Sequence, residues 1–329
     1  MTQENINNTK PLVIIRCLVY NHEPYLRDCL EGFVMQQTNF PFVAVVHDDA
    51  STDASAAIIR EYEEKYPDII KPIYETENQY SKRDGSLGRI MNAAIDVTGA
   101  KYVAMCEGDD YWIDPLKLQK QVDFMEANPE CTCYAHNSLR LNTMTHEIGL
   151  FNNKQLCMHD YRLEQFVTRD WFTPTQSLLY RRNAYNAFED LPSFMHGDYS
   201  ILLNILLREG SYLHYENEIM SVYRNGGWAS THFKEQDLYH DFISLLSYFK
   251  EKSNHRCDDI FDQQIDRQKQ GLKQLDIYQK ALGRSRSLHV RIWHYLSRLC
   301  ARIANLCGHC VYVKKCVYTP ELPNLEPLK

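Results

Sequence analysis

The chain has 329 residues, 44% hydrophobic and 24% charged, with a net charge of −7. This is the composition of an ordinary soluble globular protein with a full core, in one large or two smaller domains. No apolar run approaches membrane-span length, and Met1–Lys10 is polar without an apolar h-region, so neither a spanning helix nor a signal peptide is expected; the eleven Cys then read as reduced thiols in a cytoplasmic setting.

In chain order, the apolar run Leu12–Val19 predicts a first strand, and Asn21-His22-Glu23-Pro24 a turn into a helix reaching about Gln37, with Leu26, Leu30, Phe33 and Val34 at helical spacing. Phe42–Val46 predicts a second strand ending in His47-Asp48-Asp49-Ala50-Ser51-Thr52-Asp53, followed by a helix over Ala54–Lys65 that Pro67 stops. Ile69–Tyr74 reads as a third strand, Glu75–Gly88 as a polar loop and Arg89–Val97 as a helix. A fourth, buried strand begins at Tyr102 and breaks at Gly108 into two adjacent carboxylates, Asp109 and Asp110. Asp114-Pro115 then predicts an N-cap with Pro at the first helical position, for a helix ending at Ala127.

This β-α alternation over about 110 residues predicts a doubly wound, mostly parallel sheet. Right-handed crossovers put the strand ends on one rim, where Tyr20-Asn21, Asp48-Asp49 and Asp109-Asp110 converge. Two neighbouring carboxylates resist joint ionisation unless a cation lies between them. A hard divalent ion, Mg²⁺ or Mn²⁺, is the natural choice and typically also carries substrate phosphates. The rim therefore reads as a metal–diphosphate site.

Further on, Cys131–Leu141 predicts a strand, 142–159 an excursion, Leu163–Val167 a short helix and Ser177–Tyr180 a strand. His196-Gly197-Asp198-Tyr199 opens a helix over Ser200–Arg208, and Tyr212–Tyr215 and Glu218–Tyr223 read as short strands before a Gly226-Gly227 loop. Amphipathic helices are expected over His232–Lys250 and Ile260–Leu282. The boundaries are a polar tail over 1–10, a catalytic domain over 11–232 with its nucleotide half at 11–114 and acceptor half at 115–232, and a helical extension over 233–329.

In order and spacing, Val19-Tyr20-Asn21, Asp48-Asp49-Ala50-Ser51-Thr52-Asp53 and Glu107-Gly108-Asp109-Asp110-Tyr111-Trp112 resemble family 2 of the glycosyltransferases. His196-Gly197-Asp198-Tyr199 and Tyr223-Arg224 with Gly226-Gly227 add to the likeness, which covers roughly residues 11–232. The resemblance implies a GT-A fold, a nucleotide-sugar donor, Mn²⁺ or Mg²⁺ and inversion at the anomeric carbon. It implies that Asp49 accepts a hydrogen bond from the donor base, commonly uracil, with Asp48, Tyr20 and Asn21 nearby. Asp109 would contact the ribose or sugar, Asp110 the bridging metal, and Asp198 would be the general base. Glu107 takes the first acidic place of a D-x-D pattern. Arg224 is a candidate for the diphosphate and His232 for a further metal ligand. Trp112 and Trp171 are candidates for stacking on sugar rings, and Thr173 and Thr175 fall where the family's acceptor pocket would be.

Between Ile277 and Pro320 lie eight Lys or Arg and no Asp or Glu, leaving −15 on the remainder. Leu288–Val313 has apolar residues at three- and four-residue spacing among arginines, within a basic stretch of about 284–316, which suits an anionic membrane surface, docking on the domain or a dimer contact. The acidic body argues against nucleic acid. The expected activity is transfer of a sugar, most readily from a UDP-sugar, to a hydroxyl of a growing glycan. The tail adds the expectation of a lipid-linked acceptor at the inner face of the plasma membrane. The competing readings are a non-catalytic sugar- or partner-binding module and a metal-dependent nucleotidyltransferase. The latter lacks its Gly-rich loop after the first strand.

Overall fold

Alternating apolar residues on the first strand set the layering. β1 (Val13–Val19) sends Val13, Ile15, Cys17 and Val19 to one face and Ile14 to the other. One face is covered by α1 (Leu26–Val34), α2 (Ser55–Lys65) and α4 (Lys117–Ala127), whose Leu30, Phe33, Ile59, Leu118 and Val122 are buried there. The other is covered by α3 (Ser86–Thr98), α5 (Leu163–Val167), α6 (Gly197–Leu206) and α7 (Glu235–Lys252), through Ile95, Phe166, Leu203 and Phe249. A last helix, α8, spans Asp258–Arg284.

The remaining strands are β2 (Phe42–Asp48), β3 (Ile70–Tyr74), β4 (Tyr102–Met105), β5 (Tyr111–Trp112), β6 (Cys131–Asn142), β7 (Ile148–Leu150), β8 (Asp160–Tyr161), β9 (Leu179–Arg181) and β10 (Tyr212–Asn225). The computed structural model describes residues 10–284, apart from 153–158, 170, 187, 189–190 and 226–233. Residues up to Leu275 form one compact unit, and of the second, from Asp276 onward, only the end of α8 is described.

The sheet order is β3-β2-β1-β4-β9-β6-β10-β5. β3, β2, β1 and β4 are parallel, as the alternation predicts, and β6 and β10 are parallel to each other. β9 lies antiparallel between β4 and β6 and joins the halves.

Three expectations change. The two short strands after residue 211 are one strand, β10, kept continuous by bulges: Glu216 faces His136 and Ser221 faces Ser138, so β10 fits three extra residues into that stretch. Tyr111-Trp112, read as loop, pairs with Ser221 and Val222 as β5. Asp114 does not cap α4, which starts at Lys117; its Oδ1 instead accepts from Leu116 N at 2.8 Å in a local turn. Among the described residues no helix is long and apolar enough to cross a membrane. The basic stretch of about 284–316 lies outside the described residues except Arg284, and His232 lies outside them too.

Candidate active site

The loops after β1 and β2 are laced together, which sets the floor of the crevice. Asn21, at φ +56°, offers its side-chain oxygen to Thr52 N at 2.7 Å, and its own N–H donates to Ser51 Oγ at 3.0 Å. His22 N donates to Ser55 Oγ at 2.9 Å, Glu23 N to Asp53 Oδ2 at 3.0 Å, and Ala54 N to Glu23 Oε2 at 3.1 Å. Asn21 therefore shapes these two loops through its amide. Tyr20, just before it, is half-buried.

Asp48 and Asp49 are both buried at 3% exposure, yet differ in state. Asp49 accepts from Gln79 N at 2.6 Å and Tyr80 N at 3.0 Å, so its carboxylate orders the loop beyond β3. Asp48 Oδ1 has no partner, and burial pushes that carboxyl up, against hydrogen bonds from Ser51. His22, which the sequence read only as turn, has a buried Nδ1 without a partner as well. Burial pushes His22 down although Asp109, Asp53 and Asp48 surround it. Its ring fits only because residue 108 is glycine: a Cβ there would lie 2.6 Å from Nδ1.

The fourth-strand loop supplies three carboxylates. Glu107 pairs with Arg16 at 3.2 Å, but burial pushes it up to about 7, with Asp109 and Asp198 adding to the rise. Asp110, 3% exposed, lies well above the usual carboxylate range because it is buried and next to Asp109. Its Oδ1 accepts from Arg224 N at 2.7 Å. Asp109 is half-buried and has no side-chain hydrogen bond among the described residues. Arg224, expected on the diphosphate, is 6% exposed. It donates to Asp109 O at 2.8 Å, pairs with Asp28 and stacks on Tyr111 and Tyr25 at 4.3 and 5.1 Å. It fastens β10 to the carboxylate loop.

Asp198 stands in the first turn of α6 and is half-buried. Oδ2 accepts from Thr175 Oγ1 at 2.7 Å and Oδ1 from Tyr199 N at 2.8 Å. The loop before it is held by Asp241 on α7, which accepts from Met195 N at 2.9 Å, from His196 N at 3.3 Å and from His196 Nδ1 at 2.8 Å. Burial alone would raise Asp241; these bonds from His196 and Met195 hold it below its ordinary value.

The aromatic candidates divide. Trp112 is a core residue, 2% exposed, edge-on to Phe33 at 5.0 Å, and does not reach solvent to stack on a sugar. Thr173 is likewise fully buried, its Oγ1 without a partner. Trp171 is 39% exposed and packs edge-on to Phe151 at 5.3 Å and Tyr223 at 6.0 Å. Tyr223 is pushed up by burial and by the charges of Asp110, Asp109 and Asp198, which ties this aromatic wall to the carboxylate cluster.

Among the described residues no three His, Cys, Asp or Glu side chains gather into a closed metal cage. Mg²⁺ and Mn²⁺ need none, since one or two carboxylates with substrate phosphates and water complete their shells. Asp109 and Asp110 fit that role. They are adjacent carboxyl groups whose mutual repulsion a cation would relieve, and Asp110 Oδ1 has a lone pair beyond its bond from Arg224 N. A cavity of about 590 Å³ lined by Asn183, Asn186, Phe188, Leu207, Arg208 and Lys252 includes none of these carboxylates.

Comparison with known proteins agrees with this geometry. Rv1520 of Mycobacterium tuberculosis, an uncharacterized protein, is 34% identical over 222 residues, 65% of this chain. The match spans 59% of that relative's length. Residues 1–349 of S. aureus TarS, solved with UDP-GlcNAc, align with a TM-score of 0.52 at 16% identity, over 71% of this chain and 65% of that one. The mannosyltransferase PcManGT of Pyrobaculum calidifontis, solved with GDP-Man and Mn²⁺, aligns at 0.50 and 14% identity, over 92% and 89%. The fold is thus of the GT-A type. The family model described as glycosyl transferase family 2 matches residues 17–191, which take in all three strand-end motifs and more than half of the chain, and to that family the chain belongs.

Proposed function

We propose that this glycosyltransferase moves a sugar from a nucleotide-sugar donor to a glycan hydroxyl by direct displacement with inversion, Asp198 acting as general base. The observation that carries the reading is the gathering of Glu107, Asp109, Asp110 and Asp198 within electrostatic reach of one another at the carboxyl ends of the strands. Isolated carboxylates have no reason to share a partly buried site, whereas a metal–diphosphate on one side and a proton acceptor on the other give each a task.

In this reading the donor's nucleoside lies against the loops that carry His22, Asp48 and Asp49. Asp49 serves the same end by ordering the loop at Gln79 and Tyr80. Asp109 and Asp110 hold the Mn²⁺ or Mg²⁺ ion, with Asp109 also near the ribose. That ion supplies charge neutralisation on the departing diphosphate. Asp198 takes the proton from the acceptor hydroxyl while its oxygen forms the new bond to the anomeric carbon. The bond from that carbon to the diphosphate oxygen breaks, and the nucleoside diphosphate leaves. Trp171, with Phe151 and Tyr223 behind it, offers its face to an acceptor sugar.

UDP is the first donor nucleotide to test, with GDP beside it. The acceptor we propose is a growing, lipid-linked glycan, met where the basic tail touches an anionic membrane surface from the cytoplasmic side. Sedimentation of the full chain with anionic against neutral liposomes tests that part separately.

The activity is tested by nucleoside-diphosphate release from UDP-, GDP- and dTDP-sugars. Release from one donor, abolished by EDTA and restored by Mn²⁺, is expected. Asp198→Asn is expected to lower turnover by roughly 10²- to 10⁴-fold with donor binding intact. No release from any donor by a folded chain would refute the reading.

A further inference from the structure

Pro174 leads into a single 3₁₀ turn, Thr175–Ser177, whose last two residues lie entirely inside the protein while Thr175 is half-buried. Its contacts are unusual in their reach. The Thr175 hydroxyl donates to Asp198 Oδ2 at 2.7 Å. The Gln176 side-chain amide lies between Asp110 Oδ2 and Tyr223 N. Only one orientation pairs donor with acceptor at both ends. The NH₂ then donates to Asp110 at 3.1 Å, and the amide oxygen accepts from Tyr223 N at 3.1 Å. Consecutive side chains of one turn thus grip the carboxylate on the metal side and the carboxylate on the acceptor side.

The turn is itself immobilised from beneath. Trp112 Nε1 donates to Gln176 O at 2.8 Å and Gln121 Nε2 to Ser177 O at 2.9 Å. Lys117 Nζ, fully buried, holds Gln121 Oε1 at 2.8 Å, and Ser177 Oγ closes the turn onto Pro174 O at 2.6 Å. Met105 N, at the end of β4, donates to Leu178 O at 3.0 Å. The anchors therefore come from β4, β5 and α4, all rigid elements of the sheet and its cover.

We propose that Thr175 and Gln176 form a rigid yoke that sets the spacing between Asp198 and Asp110, making both of them positioning residues for sugar transfer. This deepens the function proposed above and rests on it. The physical case is geometric. A general base works only when one of its oxygens reaches the acceptor hydroxyl on the face opposite the leaving group. The outer torsion of an Asp side chain is soft. Two donors, Thr175 Oγ1 and Tyr199 N, remove that freedom, and a carboxylate with about four lone-pair sites keeps two for the acceptor. A β-branched threonine, stiff at χ1, holds the hydroxyl better than a serine would. The same turn sets Asp110 through Gln176, so both carboxylates move together or not at all.

The test uses the full chain, nucleoside-diphosphate release with Mn²⁺, and thermal unfolding as the control for folding. Thr175→Val keeps shape and removes the hydroxyl. Its turnover number should fall roughly ten- to a hundredfold, the loss typical of one hydrogen bond to a charged group, while the KM for donor stays within about twofold. Thr175→Ser should return turnover to within a few-fold of wild type. Gln176→Leu should instead raise the Mn²⁺ and donor concentrations needed for half-maximal rate. Should Gln176→Leu not fold, the two Thr175 variants still decide. A folded Thr175→Val with wild-type turnover overturns the yoke while leaving the transferase reading in place. A wild-type chain that releases no nucleotide from any donor removes both together.

Discussion

Lys117 is the most exacting test of the interior beneath the site. Its ammonium has no exposure, lies 4.1 Å from the Trp112 ring centroid and donates to Gln121 at 2.8 Å. Burial pushes it down from 10.5 to about 7, against the pull of Cys106 and Asp114. The unfolded chain therefore binds more protons than the folded one between about pH 7 and 10.5, and stability rises with pH across that window. The slope is about 1.4 kcal/mol per pH unit, and below pH 7 the full penalty of about 5 kcal/mol is in force. Above 10.5 both states are neutral and the penalty is gone. Lys117→Met fills the same channel without a titrating group, at the loss of about 1 kcal/mol for the bond to Gln121. Buried cysteines and tyrosines away from Lys117 titrate alike in both proteins and cancel in the difference; Cys106, which interacts with Lys117, is pushed up to about 11 by burial and stays a thiol up to about pH 10. Urea unfolding at about pH 7.5 and about pH 9.5 should show wild type gaining about 3 kcal/mol relative to Lys117→Met between the two. Parallel pH dependence of the two proteins would refute the argument.

Asp241→Asn should lower turnover at least tenfold and stability by about 1 to 3 kcal/mol, because Met195 N and both His196 donors lose a charged acceptor. Asp241 is held below its ordinary 3.8, so its contribution is present above that pH and lost as the solution is acidified. The difference between wild type and Asp241→Asn should therefore shrink in acid unfolding curves. Gly32→Ala should cost about 1 to 3 kcal/mol in chemical unfolding, since its Cβ would meet Trp112 N at 2.9 Å and O at 3.1 Å, both backbone atoms. Asp49→Ala should raise the KM for donor more than it lowers turnover, because it releases Gln79 and Tyr80 from their anchor without touching Asp198.

The first half of the chain was legible because one signal, apolar runs alternating with helical spacing, is local. β1, β3 and β4 were read within a residue or two of their ends, and the convergence of the three rim loops, two of them bearing paired carboxylates, followed from the topology. What escaped depends on distant partners. β5 has two residues and exists only because Ser221 and Val222 lie opposite it. Gln176 carries no pattern of its own; only the fold brings it between Asp110 and Tyr223. Arg224 and Trp112 were read by residue type, as a phosphate cation and a sugar platform, whereas burial made one a fastener and the other part of the core. Asp241 lies 43 residues beyond Asp198 on a helix whose pattern gives no hint that it holds the loop before Asp198.

The bulged strand makes the site sensitive to deletion more than to substitution. Tyr223 and Arg224 reach the carboxylate loop from the far end of β10, beyond the stretch where three extra residues are absorbed against β6. A one-residue deletion there would turn every later side chain to the opposite face, taking Tyr223 from the aromatic wall and Arg224 from Asp28. Substitutions in the regularly paired stretch Leu213–Tyr215 leave that register untouched. The irregular stretch thus makes the length of chain, rather than any one side chain, the feature that keeps Tyr223 and Arg224 turned toward the carboxylate loop.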